Sequence, residues 1–478
     1  MQTGRRSARE TFANLPHVDS RYVRDLLGKE LQGFDRKIVV LDDDPTGVQT
    51  VHGISVYTDW SPESMERGFR EEKPMFFILT NSRGMLASES EAAHREIAER
   101  AAAVSRKLDK PFLIISRSDS TLRGHYPLET ETLKDTLEKR MGIRYDGEVL
   151  LPMFKEGGRF TIDDIHYVQY GDELVPAGET EFAKDRTFGY TTSHLGEWVE
   201  EKTGGRYTAE DATSIALEDI RALRLERITA QLLQVNGFGK IIVNAADYVD
   251  VEVFAIALIR AMKAGKNFMF RSAAALPKVL GGIGDRPLLK REELIREDNG
   301  RGGLVLVGSH VRKTTEQLEE LMKLSSLSFI RLDSHLVTEP DKFAAEVDRV
   351  IAEAEKRIAE GRSVTVYTRR ERLELGEGRR EEELKLAVKI ADAVTSIVRR
   401  LRVRPNYIVA KGGITSSDIG TRGLGVKRAT VAGQIKPGVP VWHTGEESRF
   451  PGMAYVIFPG NVGSASTLRE VVEILEGR

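Results

Sequence analysis

Three consecutive carboxylates, Asp42, Asp43 and Asp44, close the apolar run 38–41 and are followed at once by Pro45, Thr46 and Gly47. Adjacent carboxylates repel one another and are costly to desolvate unless cations or donors share them, so such a loop invites metal ions or a substrate proton. A β-rich run that stops at Asp-Pro-Thr-Gly also puts those carboxylates at the carboxyl end of a strand, where open α/β sheets bind ligands. An ordinary solvated turn needs only one of the three Asp residues, which favours a site over a turn.

Two further strand-like runs end in polar signatures. Residues 75–79 lead into Thr80-Asn81-Ser82-Arg83-Gly84, and residues 112–115 lead into Ser116-Arg117-Ser118-Asp119-Ser120-Thr121-Leu122-Arg123-Gly124-His125. Taken singly, Ser-Asp-Ser-Thr is also an N-cap cluster and Arg83 an ordinary surface residue. Taken together, three strand ends gather carboxylates, hydroxyls and arginines, which suits a small polyhydroxylated acid. Arg presents a planar fork to a carboxylate or phosphate, and Ser, Thr and Asp hydrogen-bond sugar hydroxyls.

The second half of the chain replaces charge with glycine. The run 407–410 leads to Lys411-Gly412-Gly413-Ile414-Thr415-Ser416-Ser417-Asp418, the run 454–458 to Pro459-Gly460-Asn461-Val462-Gly463-Ser464, and the run 303–307 to Gly308-Ser309-His310. Glycines let the backbone approach a ligand closely, and Thr, Ser and Asp opening a helix favour an anion at its amides, as in a phosphate cradle. Neither GxxxxGK[ST] nor GxGxxG is present, so any nucleotide is held by another arrangement. With nine histidines and none of the usual zinc spacings, a metal that takes part would be magnesium on oxygen ligands.

The elements that must position these loops are short apolar runs alternating with helical stretches. Residues 37–41, 75–79, 112–115, 148–151 and 240–243 read as strands, with helices over 88–108 and 128–141. A second series of strands runs over 303–307, 328–332, 363–367, 406–410 and 454–458, with helices over 341–361 and 381–401. Buried strands alternating with helices predict a parallel sheet covered on both faces. The expected fold is therefore α/β, with two doubly wound, largely parallel-sheet domains and a cleft between them. We expect an N-terminal helical extension over 1–36, a substrate-binding domain over 37–285, a linker over 286–302 rich in Gly, Pro and charge, and a nucleotide-binding domain over 303–478. A polar, aromatic stretch, 160–188, interrupts the first series and reads as a hairpin or flap, and the charged stretch 369–383 reads as a solvated, mobile loop.

Composition narrows the class. The chain of 478 residues carries 71 basic and 73 acidic side chains and no basic arm, so nucleic acid is not an expected partner. It has no cysteine, which excludes disulfides, thiolate metal sites and cysteine nucleophiles. No apolar run predicts secretion or a membrane span, so a cytoplasmic protein is expected. A homo-oligomer is left open.

Two active readings compete. Asp42-x-Asp44-x-Thr46 has the spacing of the nucleophile motif in haloacid-dehalogenase-like phosphatases, but that reading leaves the arginine-rich loop and the three glycine loops without a task. A two-domain kinase acting on a small hydroxy acid uses all of them. The motifs DDxTG over 43–47, SDSTLRGH over 118–125, KGGITSSD over 411–418 and FPGNVG over 458–463 resemble, in order and over nearly the whole chain, those of the four-carbon acid sugar kinase family.

That resemblance implies an ATP-dependent phosphotransferase acting on a terminal hydroxyl of a four-carbon sugar acid such as threonate, erythronate or 3-oxo-tetronate. It implies Asp43, Arg83, Arg117, Ser118, Asp119, Ser120 and Arg123 as substrate residues. It also implies Ser309, Gly412, Gly413, Ile414, Thr415, Gly460 and Asn461 as ATP residues. Asp43 or Asp44 would take the proton of the attacking hydroxyl, Arg83 and Arg123 would fix the substrate carboxylate, and Mg2+, the glycine-loop amides and Lys411 would hold the phosphates. The chain departs from plainer members by its extension, 1–36, and by an insert, 154–188. A nucleotide-binding regulator without catalysis is the third reading.

Overall fold

The computed structural model describes residues 4–308, 312–371, 373, 379–460 and 462–477, and it divides into two compact units. The first comprises Met1–Gly47 and Asp59–Asp285, the second Val48–Thr58 and Arg286–Arg478.

In the first unit seven strands run parallel in the order Thr213–Ile215, Gly239–Val243, Gly147–Leu151, Phe268–Ser272, Phe112–Arg117, Lys37–Asp42, Met75–Leu79. The central ones are buried along their whole length, which is why they read as unbroken apolar runs. The register pairs Leu41 with Ser116 and Ile78, and Asp42 with Arg117 and Leu79, so three polar loops leave the sheet at one edge. Helices Ala87–Leu108, Leu128–Met141 and Tyr248–Lys263 carry the chain between strands. The strand Phe268–Ser272, with Arg271 and Ser272 polar, escapes the sequence reading yet fills the gap between Gly147–Leu151 and Phe112–Arg117.

The stretch read as a hairpin is a meander. Arg159–Ile162, Ile165–Tyr170 and Glu173–Pro176 form an antiparallel sheet. Asp163 and Asp164 both take left-handed φ values, 53° and 61°, as a two-residue turn matched to strand twist requires. The extension completes this sheet. Arg6–Ser7 pairs with Leu174 and Glu173, and Phe12 meets the Phe160 ring edge-on at 4.9 Å over a small core with Ile162, Ile165, Tyr167 and Leu174. The next helix, Ser20–Gln32, is capped by Asp19, and its Glu30 pairs with Arg260 at 2.9 Å and Lys263 at 2.8 Å on the Tyr248–Lys263 helix.

In the second unit, parallel strands run in the order Ser328–Leu332, Val364–Thr368, Leu304–Val307, Tyr407–Lys411, Ala454–Phe458. Three antiparallel strands, Val439–Thr444, Arg428–Lys436 and Ser55–Tyr57, extend the sheet beyond Ala454–Phe458. Leu289, Leu294 and Ile295, from the glycine- and proline-rich stretch, join this unit's core beside Val305, Tyr407 and Val456. Residues 372 and 374–378 of the charged stretch 369–383 lie outside the described residues. Among the described residues no helix is long and apolar enough to cross a membrane.

Candidate functional site

The acidic loop of the first unit is folded around its own strand end. Asp42 is the last residue of Lys37–Asp42, and its carboxylate turns back over Gly47, where a Cβ would stand 1.9 Å from Asp42 Oδ1. Glycine is therefore required at 47 by close approach. Asp44 bonds within the loop, its Oδ1 accepting from the Thr46 amide at 2.9 Å and the Thr46 hydroxyl at 2.6 Å. Asp43 reaches the neighbouring loop, its Oδ2 accepting from the Asp119 amide at 3.2 Å.

Arginines from the adjacent strand ends tie these carboxylates together. Arg83 sits in the short turn after Met75–Leu79, which Asn81 enters with a left-handed φ of 55°. Its guanidinium binds Asp44 directly and lies 3.2 Å from Asp119 and 4.0 Å from Asp43. Arg117, the last residue of its strand and 5% exposed, lies 3.4 Å from Asp42 and 3.7 Å from Asp43. Arg123 pairs with Asp119 at 2.7 Å and Asp185 at 3.8 Å. The structure thus brings Asp43, Asp44, Arg83, Arg117, Asp119 and Arg123 into one network, with Ser118 and Ser120 buried in the same loop.

Burial and pairing separate the titrations of these acids. Desolvation pushes the Asp42 carboxyl up to about 8, against Arg117 and reinforced by Asp43 and Asp44. Desolvation also raises Asp43, against Arg83 and Arg117. Asp44 and Asp119 are only partly buried, and desolvation, the largest single influence on each, is outweighed by Arg83 together with Thr46 at Asp44 and with Arg123 and Thr121 at Asp119, so both are held below the usual carboxylate range. Asp42 and Asp43 are thus the acids of raised proton affinity, and of the two Asp43 has an oxygen, Oδ1, that makes no hydrogen bond.

A second layer that sequence reasoning missed supports the loop. Arg271, from the unrecognised strand, bonds Ser118 Oγ, donates to the Arg123 carbonyl at 2.8 Å and pairs with Glu129 at 3.1 Å. Glu129 in turn accepts from Ser82 at 2.6 Å and Ser90 at 3.1 Å. Gly124, at φ 119°, leaves room for Arg271, whose Nη2 would lie 3.1 Å from a Cβ there. From the meander His166 Nε2 meets the Ser120 carbonyl at 2.7 Å, and from the chain that follows it Tyr190 donates to the Thr121 carbonyl at 2.7 Å. Burial lowers His166 to about 4, so the ring is neutral at pH 7. Among these only Arg271 carried a signal, a cation in an otherwise apolar run.

In the second unit the glycine loops stand side by side because their strands do. Lys411 is in register with Val307 on one side and Phe458 on the other, so Gly308, Gly412 and Pro459 leave adjacent strand ends. Gly412 takes a φ of 114°, which L-residues rarely adopt, and its amide bonds the Phe458 carbonyl at 2.8 Å. It opens the short helix Gly413–Asp418, on which Ile414 is 77% exposed. Lys411 does not project: its buried ammonium donates to the carbonyls of Pro459 at 2.6 Å and Gly460 at 3.0 Å, bracing one loop against the next. Burial, with help from Lys313, lowers it to about 7. Ser309, His310 and Asn461 lie outside the described residues. Among the described residues no set of three or more imidazole, thiol or carboxylate groups is arranged to hold a metal ion.

An arginine-laced acidic site on one sheet and glycine turns on another describe a protein with a polar small-molecule domain and an anion-cradling domain. Comparison with known proteins agrees. A family described as a sugar-binding N-terminal domain matches residues 38–280, and one described as a nucleotide-binding C-terminal domain matches residues 304–468. The chain belongs to the four-carbon acid sugar kinase family that these two domains compose. A D-erythronate kinase of Heliobacterium modesticaldum is 24% identical over 392 residues, covering 76% of this chain and 79% of that protein. The fold is shared with Haemophilus influenzae protein HI1011, at TM-score 0.60 and 16% identity over 91% of this chain and all of that one. A Salmonella typhimurium LT2 structure, at TM-score 0.63 and 16% identity, covers 91% and 98% of the two chains.

Proposed function

We propose that the chain is an ATP-dependent kinase that phosphorylates a terminal hydroxyl of a four-carbon sugar acid. The observation that carries this reading is the contrast within the acidic loop: one carboxylate, Asp43, has a raised pKa and an oxygen without a hydrogen bond, while its neighbour Asp44 is saturated by Thr46 and Arg83. A general base needs a free lone pair and a proton affinity above that of an ordinary carboxylate. Asp43 takes the proton of the attacking hydroxyl, and Asp44 keeps Arg83 in place. Arg83, Arg117, Ser118, Asp119, Ser120 and Arg123 surround the sugar acid and orient its hydroxyls. The amides of Gly412, Gly413, Ile414, Thr415 and Gly460, with Ser309 and Asn461, receive the nucleotide. Magnesium would arrive with the nucleotide and would neutralise charge at its phosphates. Asp42, the nucleophile of a phosphatase reading, is 1% exposed and turned onto Gly47 and Arg117, which disfavours attack on phosphorus.

The test is ATP consumption with magnesium over a panel of four-carbon and branched sugar acids, followed by coupled ADP production and product mass. The expected product is a monophosphate of the acid with one equivalent of ADP. No ADP release above background across the panel would overturn the proposal.

A further inference from the structure

Every arginine that the sequence offers as a clamp for the substrate carboxylate is already engaged by carboxylates of the protein. Arg83 faces three, Arg117 two and Arg123 two. Five carboxylates, Asp42, Asp43, Asp44, Asp119 and Asp185, thus share three guanidiniums. Even with Asp42 protonated, as its raised pKa of about 8 implies near neutrality, the cluster carries a negative excess. An anionic substrate entering it needs a further cation.

One arginine beside this loop has no such partner. Arg159 opens the first strand of the meander, and among the described residues no carboxylate lies within ion-pair distance of it. Among the described residues its guanidinium donates to the Gly157 carbonyl and to no carboxylate, and its buried Nε makes no hydrogen bond. Phe182 fixes its position: the ring carries Arg159 at 5.7 Å and Arg123 at 5.1 Å from its centroid, so the unpaired guanidinium shares its aromatic platform with the one that holds Asp119. A partly buried, unpaired guanidinium is costly unless a ligand completes it. Burial works against its charged form, Asp119 and, more weakly, Glu181 favour the cation, and Arg123 opposes it.

Resting on the kinase reading, we infer that Arg159, on the meander that the extension completes, receives the carboxylate of the sugar acid, while Arg83, Arg117 and Arg123 organise the acidic loop that meets its hydroxyls. The substrate class is then a polyhydroxy acid bound by its carboxylate on the Arg159–Phe182 platform, with the reacting hydroxyl toward Asp43. Arg159 is the specificity residue that separates an acid from its neutral analogue.

The test compares D-erythronate with D-erythronamide on the full chain, by titration calorimetry and by steady-state kinetics with ATP. Wild type should prefer the acid. In Arg159→Gln the KM and Kd for the acid should rise by at least about thirtyfold, the usual effect of removing one partner of a desolvated ion pair, with the amide and kcat little changed. Arg159→Lys keeps the charge but not the fork and should lose several-fold on the acid alone; it carries the test if Arg159→Gln fails to fold. Unchanged acid-to-amide discrimination in whichever of these variants folds would overturn the inference. Binding of the acid without ATP turnover would overturn the kinase reading and leave the Arg159 comparison standing on the calorimetry. A wild-type protein that binds acid and amide equally would overturn the inference by itself.

Discussion

The strand-end loops of the two units occupy equivalent places on parallel sheets and solve opposite problems. In the first unit the surface proposed to meet the ligand is made of charged side chains, Asp43, Asp44, Asp119, Arg83 and Arg123, each oriented by another. In the second it is made of backbone: Gly412 at φ 114°, Gly460 in open space, and a lysine withdrawn beneath them to hold carbonyls. Side chains can place a base of tuned pKa beside a hydroxyl, whereas amides give a fixed partial charge with no titration. The consequence is a division of sensitivities. The first unit should fail by chemistry and the second by geometry.

The largest effect expected from this contrast is at Asp43. Asp43→Asn should lower kcat by about 10²–10⁴-fold, the usual worth of a general base, and leave nucleotide KM near wild type. Asp44→Asn, which loosens Arg83 rather than removing the base, should cost less in kcat and more in acid KM. Because burial raises the Asp43 pKa, the wild-type kcat/KM should climb with pH through a limb displaced above the ordinary carboxylate value, the base being active only when deprotonated. A pH–rate profile of Asp43→Asn that retains that limb would assign it to another group, and equal losses at both positions would erase the distinction between base and support.

Much of this was legible in the sequence because apolar strands buried on both faces stop abruptly at polar residues. The runs ending at Leu41, Leu79 and Ile115 identified both the strands, which extend to Asp42, Leu79 and Arg117, and the loops they deliver. What escaped detection depends on contacts distant in sequence. Glu129 is buried in the first turn of a helix whose composition resembles a solvated face, and Ser82, Ser90, His94 and Arg271, all distant in sequence, make its burial possible. In Phe268–Ser272 the apolar run is only three residues long before Arg271 and Ser272 break it, so it carries no strand signal of its own. Arg428–Lys436 and Val439–Thr444 are antiparallel strands with register shifts near Gly433 and Lys436, which blur the alternation that marks a hairpin. Arg159 stands just ahead of the stretch read as a flap and belongs to no motif; that no carboxylate among the described residues pairs with it is visible only in three dimensions.

A smaller effect, and the one that tests the backbone half of the contrast, is at Gly412. Its φ of 114° lies where a side chain is strained, so Gly412→Ala should cost about 1–3 kcal/mol locally or drive the turn into another conformation. Either outcome moves the Gly413 amide, and the nucleotide KM should rise roughly tenfold while calorimetric affinity for the acid is unchanged. Loss of acid affinity in the same variant would mean that the two units do not divide the ligands as the contrast requires.

The smallest effect is at Gly460, where the strain argument is absent. Its φ is not left-handed, and nothing lies within 4 Å of a Cβ built there, so Gly460→Ala should fold and melt as wild type does. Any change in nucleotide KM must then come from the added methyl meeting the nucleotide, and a rise of a few-fold is expected if the backbone lies against phosphate. If KM is unchanged, the turn serves another purpose: its carbonyls are the acceptors of the Lys411 ammonium, and Lys411→Met should disturb the loop although Gly460→Ala does not. The pair of variants therefore separates a glycine kept for ligand approach from a loop kept for its carbonyls.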